Sequence, residues 1–372
     1  APNAHCDDIW LSWPAMNEEA IARGTFIQFN VGTSVGNLFI VFDTVMKFAR
    51  FLELGLILRW NSAPGFQAAL EPSAINWDVD ARQLMQQTVE SKGANSTRLH
   101  SLEFTNFAMV LSDSQLELLA STLGIYEVNT AKLATHVRKS VPRRINLFMR
   151  LLRQTVGRNT ALKTQPCTWN MLFSRSASMI ASLEQYSPWG GASDAAQHRH
   201  QSAEYIAWHI RTAEGETTRS YIPSQHKYVM QEPSSDVCPA YLEAQKDALR
   251  LVETCRSSLS VHTNDELVYI SSNSKSMAKN CTVEAAKHDV VMGHVDLGLS
   301  PRDAHTAHSR KPLETALGAL LDFFFLLDAT VIVRTGSSFS GTACNIKGLT
   351  CQKIKYDTMP KRRFMLCVPS DC

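Results

Sequence analysis

His209 and Arg211 stand one residue apart at the end of an apolar run, Tyr205-Ile-Ala-Trp-His-Ile-Arg211. A guanidinium is planar, donates two parallel hydrogen bonds and keeps its charge, so it suits a phosphate. Side chains alternate along a strand, which places His209 on the same side as Arg211. Such a pair could hold a base and a phosphate of one nucleotide. It also reads as a surface arginine beside a packed histidine. A second stretch, residues 321–340, sets Asp322 in a very apolar helix, then a strand that runs into Gly336-Ser-Ser-Phe-Ser340. A carboxylate in such company needs a partner, because an unpaired buried charge is costly. Asp322 could be a helix-end charge, half of a core salt bridge, or the acceptor for two N–H groups of a guanine edge. Ser337 and Ser338 at the start of a following helix would offer an anion site of hydroxyls and backbone N–H groups; a polar turn would look the same. A third stretch, Val31-Gly-Thr-Ser-Val-Gly36, has glycines that let backbone approach a ligand or serve only a tight turn. No Lys-Ser or Lys-Thr follows, which excludes a Walker loop.

These stretches need a scaffold, and the hydrophobic pattern supplies one. The spacing predicts a strand over 25–30, the glycine loop, a helix over 37–53 and a strand over 54–60, which is one unit of an α/β domain. Leu38, Val41, Val45, Phe48 and Leu52 keep helical spacing. Further helices are expected over 112–123 and 145–156. The latter is apolar on one face through Ile145, Phe148, Met149 and Leu152, and basic on the other through Arg144, Arg150 and Arg153, the pattern of a solvated face. Ser187-Pro-Trp-Gly-Gly-Ala-Ser-Asp194 is the linker candidate. Beyond it, strands are expected over 205–210, 266–271 and 330–334, and helices over 239–257 and 312–326. The chain thus reads as two domains, 1–190 and 191–372.

With 372 residues, 44% of them hydrophobic, the chain can bury a sizeable core. Its 37 basic and 35 acidic residues nearly cancel, which argues against a protein built to hold nucleic acid or an anionic membrane. The most apolar stretch, residues 37–60, is broken by Asp43, Lys47, Arg50 and Glu53 and does not read as a membrane span. The chain opens at Ala1 without a signal peptide, and an N-terminal membrane anchor removed by processing is expected. Nine cysteines without a CxxC pair, and sequons at Asn95 and Asn280, favour the lumen of the secretory pathway or secretion. The last four cysteines, Cys344 to Cys372, read as a staple of the C-terminus. His198, His200, Asp303, His305 and His308 lack the wider ligand set of a metal site, and no metal is expected.

Taken in order, Gly36-Asn37, His209-Ile-Arg211 and Asp322 to Ser340 resemble the fucosyltransferase superfamily that includes the α1,6-, protein O- and plant cell-wall enzymes. That resemblance covers about 90 residues in three blocks. It implies a GT-B-like fold, two Rossmann-like domains facing across a cleft, with the acceptor on the N-terminal side and the nucleotide sugar on the C-terminal side. It implies an inverting, metal-independent glycosyltransferase of the Golgi or ER that moves fucose from GDP-fucose to a glycan or glycoprotein and needs no cofactor. Arg211 would bind the β-phosphate and stabilise the leaving diphosphate. His209 and Asp322 would contact guanine, Ser337 or Ser338 would hold phosphate oxygens, and Gly36 and Asn37 would face the donor or acceptor. The family's acid soon after His-x-Arg is missing; Thr212-Ala-Glu-Gly-Glu216 offers Glu214, then Glu216, as base. Its acidic pair after the next strand is absent from Tyr269-Ile-Ser-Ser-Asn-Ser274, which leaves a non-catalytic carbohydrate-binding or structural glycoprotein as the alternative.

Overall fold

The computed structural model describes residues 12–31, 35–60, 64–80, 99–103, 107–122, 165–187, 204–210, 219–222, 227–230, 237–255, 263–272, 275–288, 290–295, 312–354 and 364–369. Its contacts divide the chain into two compact units, Ala1–Ser176 and Ala177–Cys372. This division lies ahead of the change expected at residue 190. The linker candidate from residue 188 onward, and the basic helix expected over 145–156, fall outside the described residues.

The first unit opens with helix α1 (Trp13–Ala22), strand β1 (Phe26–Asn30), helix α2 (Val35–Phe51) and strand β2 (Gly55–Arg59). After α3 (Pro64–Ala69) and β3 (Leu70–Pro72) come β4 (Leu99–Glu103), β5 (Phe107–Ser112), α4 (Asp113–Thr122), α5 (Gln165–Leu172) and β6 (Phe173–Arg175). Four strands form a sheet in the order β2-β1-β5-β4. β1 and β2 are parallel, as a strand–helix–strand crossover requires, while β5 and β4 are antiparallel to their neighbours. α1 is held against β2 by buried Asn17, whose Oδ1 accepts from the Leu56 amide at 2.7 Å. A Cβ at Gly55 would lie 2.4 Å from Ile21, so only glycine allows this approach. Gly36 and Asn37 belong to the first turn of α2 rather than to the loop before it.

The second unit begins with α6 (Ala177–Gln185) and β7 (Glu204–Ile210), then the hairpin of β8 (Arg219–Ile222) and β9 (Lys227–Met230). It continues with α7 (Val237–Cys255), β10 (Thr263–Ser272), α8 (Lys275–Ala286), β11 (Val291–Gly293), α9 (Pro312–Asp328), β12 (Val331–Thr335), α10 (Ser338–Lys347), β13 (Leu349–Ile354) and β14 (Phe364–Pro369). The six-stranded sheet has the order β11-β10-β7-β12-β14-β13. Its first four strands are parallel, and β14 and β13 add an antiparallel edge. This is the α/β architecture expected from the alternation of strands and helices.

Alternation along the strands separates two sheet faces. Ile206, Trp208, Ile210, Val268, Ile270, Val331, Val333, Phe364 and Leu366 pack with Tyr241 and Ala244 of α7 and with Met277 and Cys281 of α8. A fully buried Phe or Ile here stabilises the unit by about 1.5–3 kcal/mol. The disulfide Cys238–Cys281 ties α7 to α8, and Cys351–Cys367 ties the facing strands β13 and β14. The second bond is the C-terminal staple expected from the cysteine-rich tail. Cys344 on α10 is a free, buried thiol whose sulfur lies within 4.8 Å of that disulfide's sulfurs.

Candidate functional site

The connections of the second sheet reverse direction beside β7. From β7 the chain moves outward through β10 to β11, then returns to lay β12 on the other side of β7. In open α/β sheets, ligands collect outside the carboxyl ends of strands at such a switch point. Here those ends are His209-Ile210 and Arg334-Thr335, and Arg334 is the register partner of His209.

His209, Arg334 and Ser271 occupy matching register positions on β7, β12 and β10, on the face away from α7 and α8. His209 is buried, its ring centroid 5.5 Å from Phe339 of α10, and its carbonyl accepts from the Tyr241 hydroxyl at 2.7 Å. The imidazole is therefore packed under the first turn of α10, and its surroundings fix where it stands. Tyr205, four residues earlier on this face, is a core residue whose hydroxyl donates to the Phe325 carbonyl at 2.6 Å.

Asp322 on α9 faces the same side of the sheet. Its Oδ1 accepts from the hydroxyl of buried Tyr269, two residues before Ser271 on β10. Burial pushes the Asp322 carboxyl up to about 7, against the hydrogen bonds from Tyr269 and Ser271, which lower it. Burial also raises Tyr269, and the neighbouring carboxylate adds to that shift. Asp322 is thus neither a helix-end charge nor half of a salt bridge among the described residues. It is a carboxyl held in place by neutral hydroxyls, and a carboxylate has more acceptor positions than these two bonds use.

Ser337 is the N-cap of α10: its backbone is extended and its Oγ accepts from the Phe339 amide at 3.3 Å. Ser338 is the first residue of the helix. The ten-residue helix therefore presents its positive end at the end of β12. Arg334 underlies this end. Its Nη1 donates to the Ser337 carbonyl at 2.6 Å and to Ser340 Oγ at 3.3 Å, and its Nη2 lies 3.1 Å from the Met365 sulfur.

The structure thus brings His209, Asp322, Ser337 and Ser338 to one sheet face and its α9–α10 cover. Arg211, Glu214, Glu216 and Asn95 lie outside the described residues. Gly36 and Asn37 are in the first unit, and Asn280 is exposed on α8 beside the disulfide-bonded Cys281. Sequence reasoning missed Tyr269 as the partner of Asp322, and Arg334. The available signal was one charged residue inside the otherwise apolar strand Val331–Thr335, whose residues are all buried.

No protein-family model and no curated protein sequence matches the chain. The fold is similar to those of solved fucosyltransferases. The NodZ α1,6-fucosyltransferase co-crystallised with GDP shares 12% identity, with 92% of this chain and 98% of that chain covered and a TM-score of 0.43. NodZ from Bradyrhizobium shares 12% over 93% and 99%, with a TM-score of 0.44. A mutant of FUT1 from Arabidopsis thaliana in complex with GDP shares 12% over 98% and 83%, with a TM-score of 0.45. At these identities the likeness concerns the fold, and what the site does rests on the residues of this chain.

Proposed function

We propose that the second unit binds a GDP-sugar at the carboxyl ends of β7 and β12, and that the chain transfers the sugar to a glycan or glycoprotein as an inverting fucosyltransferase. The carrying observation is the convergence, at the topological switch point, of a histidine, the positive end of α10 and a half-buried carboxyl. Phosphate oxygens suit the helix end and the arginine that follows β7; the N–H groups of a guanine edge suit Asp322. In this reading Arg211 and the start of α10 take up the charge that develops on the leaving GDP, a task that metal ions perform in other enzymes. The acceptor hydroxyl attacks C1 of fucose as the bond from C1 to the β-phosphate oxygen breaks. Its proton passes to Glu214, or to Glu216. Gly36 and Asn37, in the first unit, belong to the acceptor side of a GT-B-type architecture.

GDP-fucose turnover tests this reading. Release of GDP in the presence of a glycan panel, without added metal and lost in Arg211→Ala, is the expected result. Tight GDP binding without any turnover would favour the second reading, a non-catalytic carbohydrate-binding relative, which the missing carboxylates after His209-Ile-Arg211 and after Tyr269 support. A secretory-pathway location is proposed from the sequons and the disulfides. It is checked by glycosidase treatment of the secreted chain, where Asn280→Gln should remove one glycan.

A further inference from the structure

Arg334 is nine-tenths buried, yet no carboxylate among the described residues pairs with it. Its donors are poorly used. Nη1 meets a carbonyl and a hydroxyl, Nη2 meets only a thioether sulfur, a weak acceptor, and Nε has no partner. The nearby Cys344 thiol supplies no anion, since burial pushes it up to about 12. α10 lies directly on the guanidinium: a Cβ at Gly341 would come within 2.7 Å of Nη1. The cation therefore sits at the positive end of a helix, where cations are disfavoured, in a place that water reaches poorly. A buried charge is normally matched by an opposite one. Two positive sources, one guanidinium and one helix end, converge on the turn 335–338 with no negative charge beside them among the described residues.

We propose that Arg334 is the fixed counter-cation of the diphosphate site, a positioning residue that holds the anion at the Ser337 turn through its charge and through the N-cap carbonyl it grips. This rests on the proposed diphosphate site and adds a second cation to Arg211. A guanidinium locked in this way costs no reordering when ligand arrives, unlike a mobile surface side chain. It also makes the contribution of the site depend on ligand charge, which a purely structural staple under α10 would not do.

The test measures inorganic pyrophosphate by calorimetry, and GDP, GMP and guanosine by competition with a fluorescent GDP, on wild type, Arg334→Met and Arg334→Lys. Met keeps the length of the side chain and removes the charge; Lys keeps the charge and loses the fork. The expected result is that Arg334→Met weakens pyrophosphate and GDP by roughly tenfold or more, GMP by less, and guanosine by no more than about twofold. Arg334→Lys should stay within about threefold of wild type for all four. Equal losses for guanosine and GDP, an unchanged pyrophosphate affinity in Arg334→Met, or losses in Arg334→Lys as large as those expected for Met would each overturn the proposal. If Arg334→Met does not fold, Arg334→Lys and the wild-type pyrophosphate titration decide, and a wild type that ignores pyrophosphate also overturns it. Pyrophosphate binding that follows this pattern while GDP binds no better than UDP would leave Arg334 in its role and refute the guanine reading alone.

Discussion

Among the described residues, two buried cations, Lys47 and Arg334, are handled in opposite ways. In the first unit, Lys47 of α2 lies 3.0 Å from Asp43, both side chains are almost fully buried, and Thr168 of α5 donates to Asp43 at 2.7 Å. Charge and hydrogen bonding are closed within the fold. Just after β2, Trp60 stacks on Phe66 and meets Trp77 and Phe173 edge-on. In the second unit, Arg334 is buried at the end of a parallel strand with no such match among the described residues. The first arrangement is complete as it stands. The second lacks a matching charge among the described residues, and the proposed diphosphate would supply one.

The largest expected effect tests the closed pair. Lys47→Met leaves Asp43 buried without its cation and should cost about 3–5 kcal/mol in urea denaturation, whereas the double variant Asp43→Asn with Lys47→Met should recover most of that loss. Arg334→Met should cost no more than about 2 kcal/mol, because it relieves an unmatched charge while stranding two acceptors. If Arg334→Met destabilises as much as Lys47→Met, the contrast between the two cations fails.

Asp322 adds a pH signature to the second unit. Its folded value of about 7 lies above the ordinary 3.8, so the folded state holds the proton more tightly than the unfolded chain. Stability should therefore fall as pH rises from about 4 to about 7, by up to about 1.4 kcal/mol per unit, and level off above. Asp322→Asn should remove that slope. The ionised carboxylate is the form that accepts from guanine, so GDP affinity should rise across the upper part of the same window in wild type and not in the variant.

Smaller effects follow at the ligand end. Arg211→Ala should weaken GDP by about 1.5–3 kcal/mol, the scale of a charged hydrogen bond, with little change in the melting temperature. Ser337→Ala removes the cap of α10 and should cost about 1 kcal/mol of stability, together with a loss of pyrophosphate affinity. A cap loss without any change in anion binding would detach the turn from the site.

Much of this was legible in the residues because the relevant patterns are local. The strand expected over 205–210 forms as Glu204–Ile210, the helix over 312–326 as Pro312–Asp328, and the crossover from β1 through α2 to β2 as its apolar spacing implied. Asp43 and Lys47, the charges that broke the apolar stretch, prove to be partners. What the sequence did not reveal depends on contacts far apart in the chain. Tyr269 and Asp322 meet only because α9 crosses β10, and Arg334 is unmatched only because of what surrounds it in three dimensions. Polar residues interrupt the edge strand β13, so its periodic signal was too weak to separate it from a stapled tail. Gly36 was placed in a loop because glycine favours turns, yet it sits in the first turn of α2.

Isothermal titration calorimetry of the wild-type chain with GDP and with UDP tests the nucleotide site most directly. Saturable binding of one GDP per chain, tighter than UDP and weakened in Asp322→Asn and Arg211→Ala, is the predicted result. Absence of GDP binding, or equal affinity for GDP and UDP in wild type and Asp322→Asn alike, would contradict it.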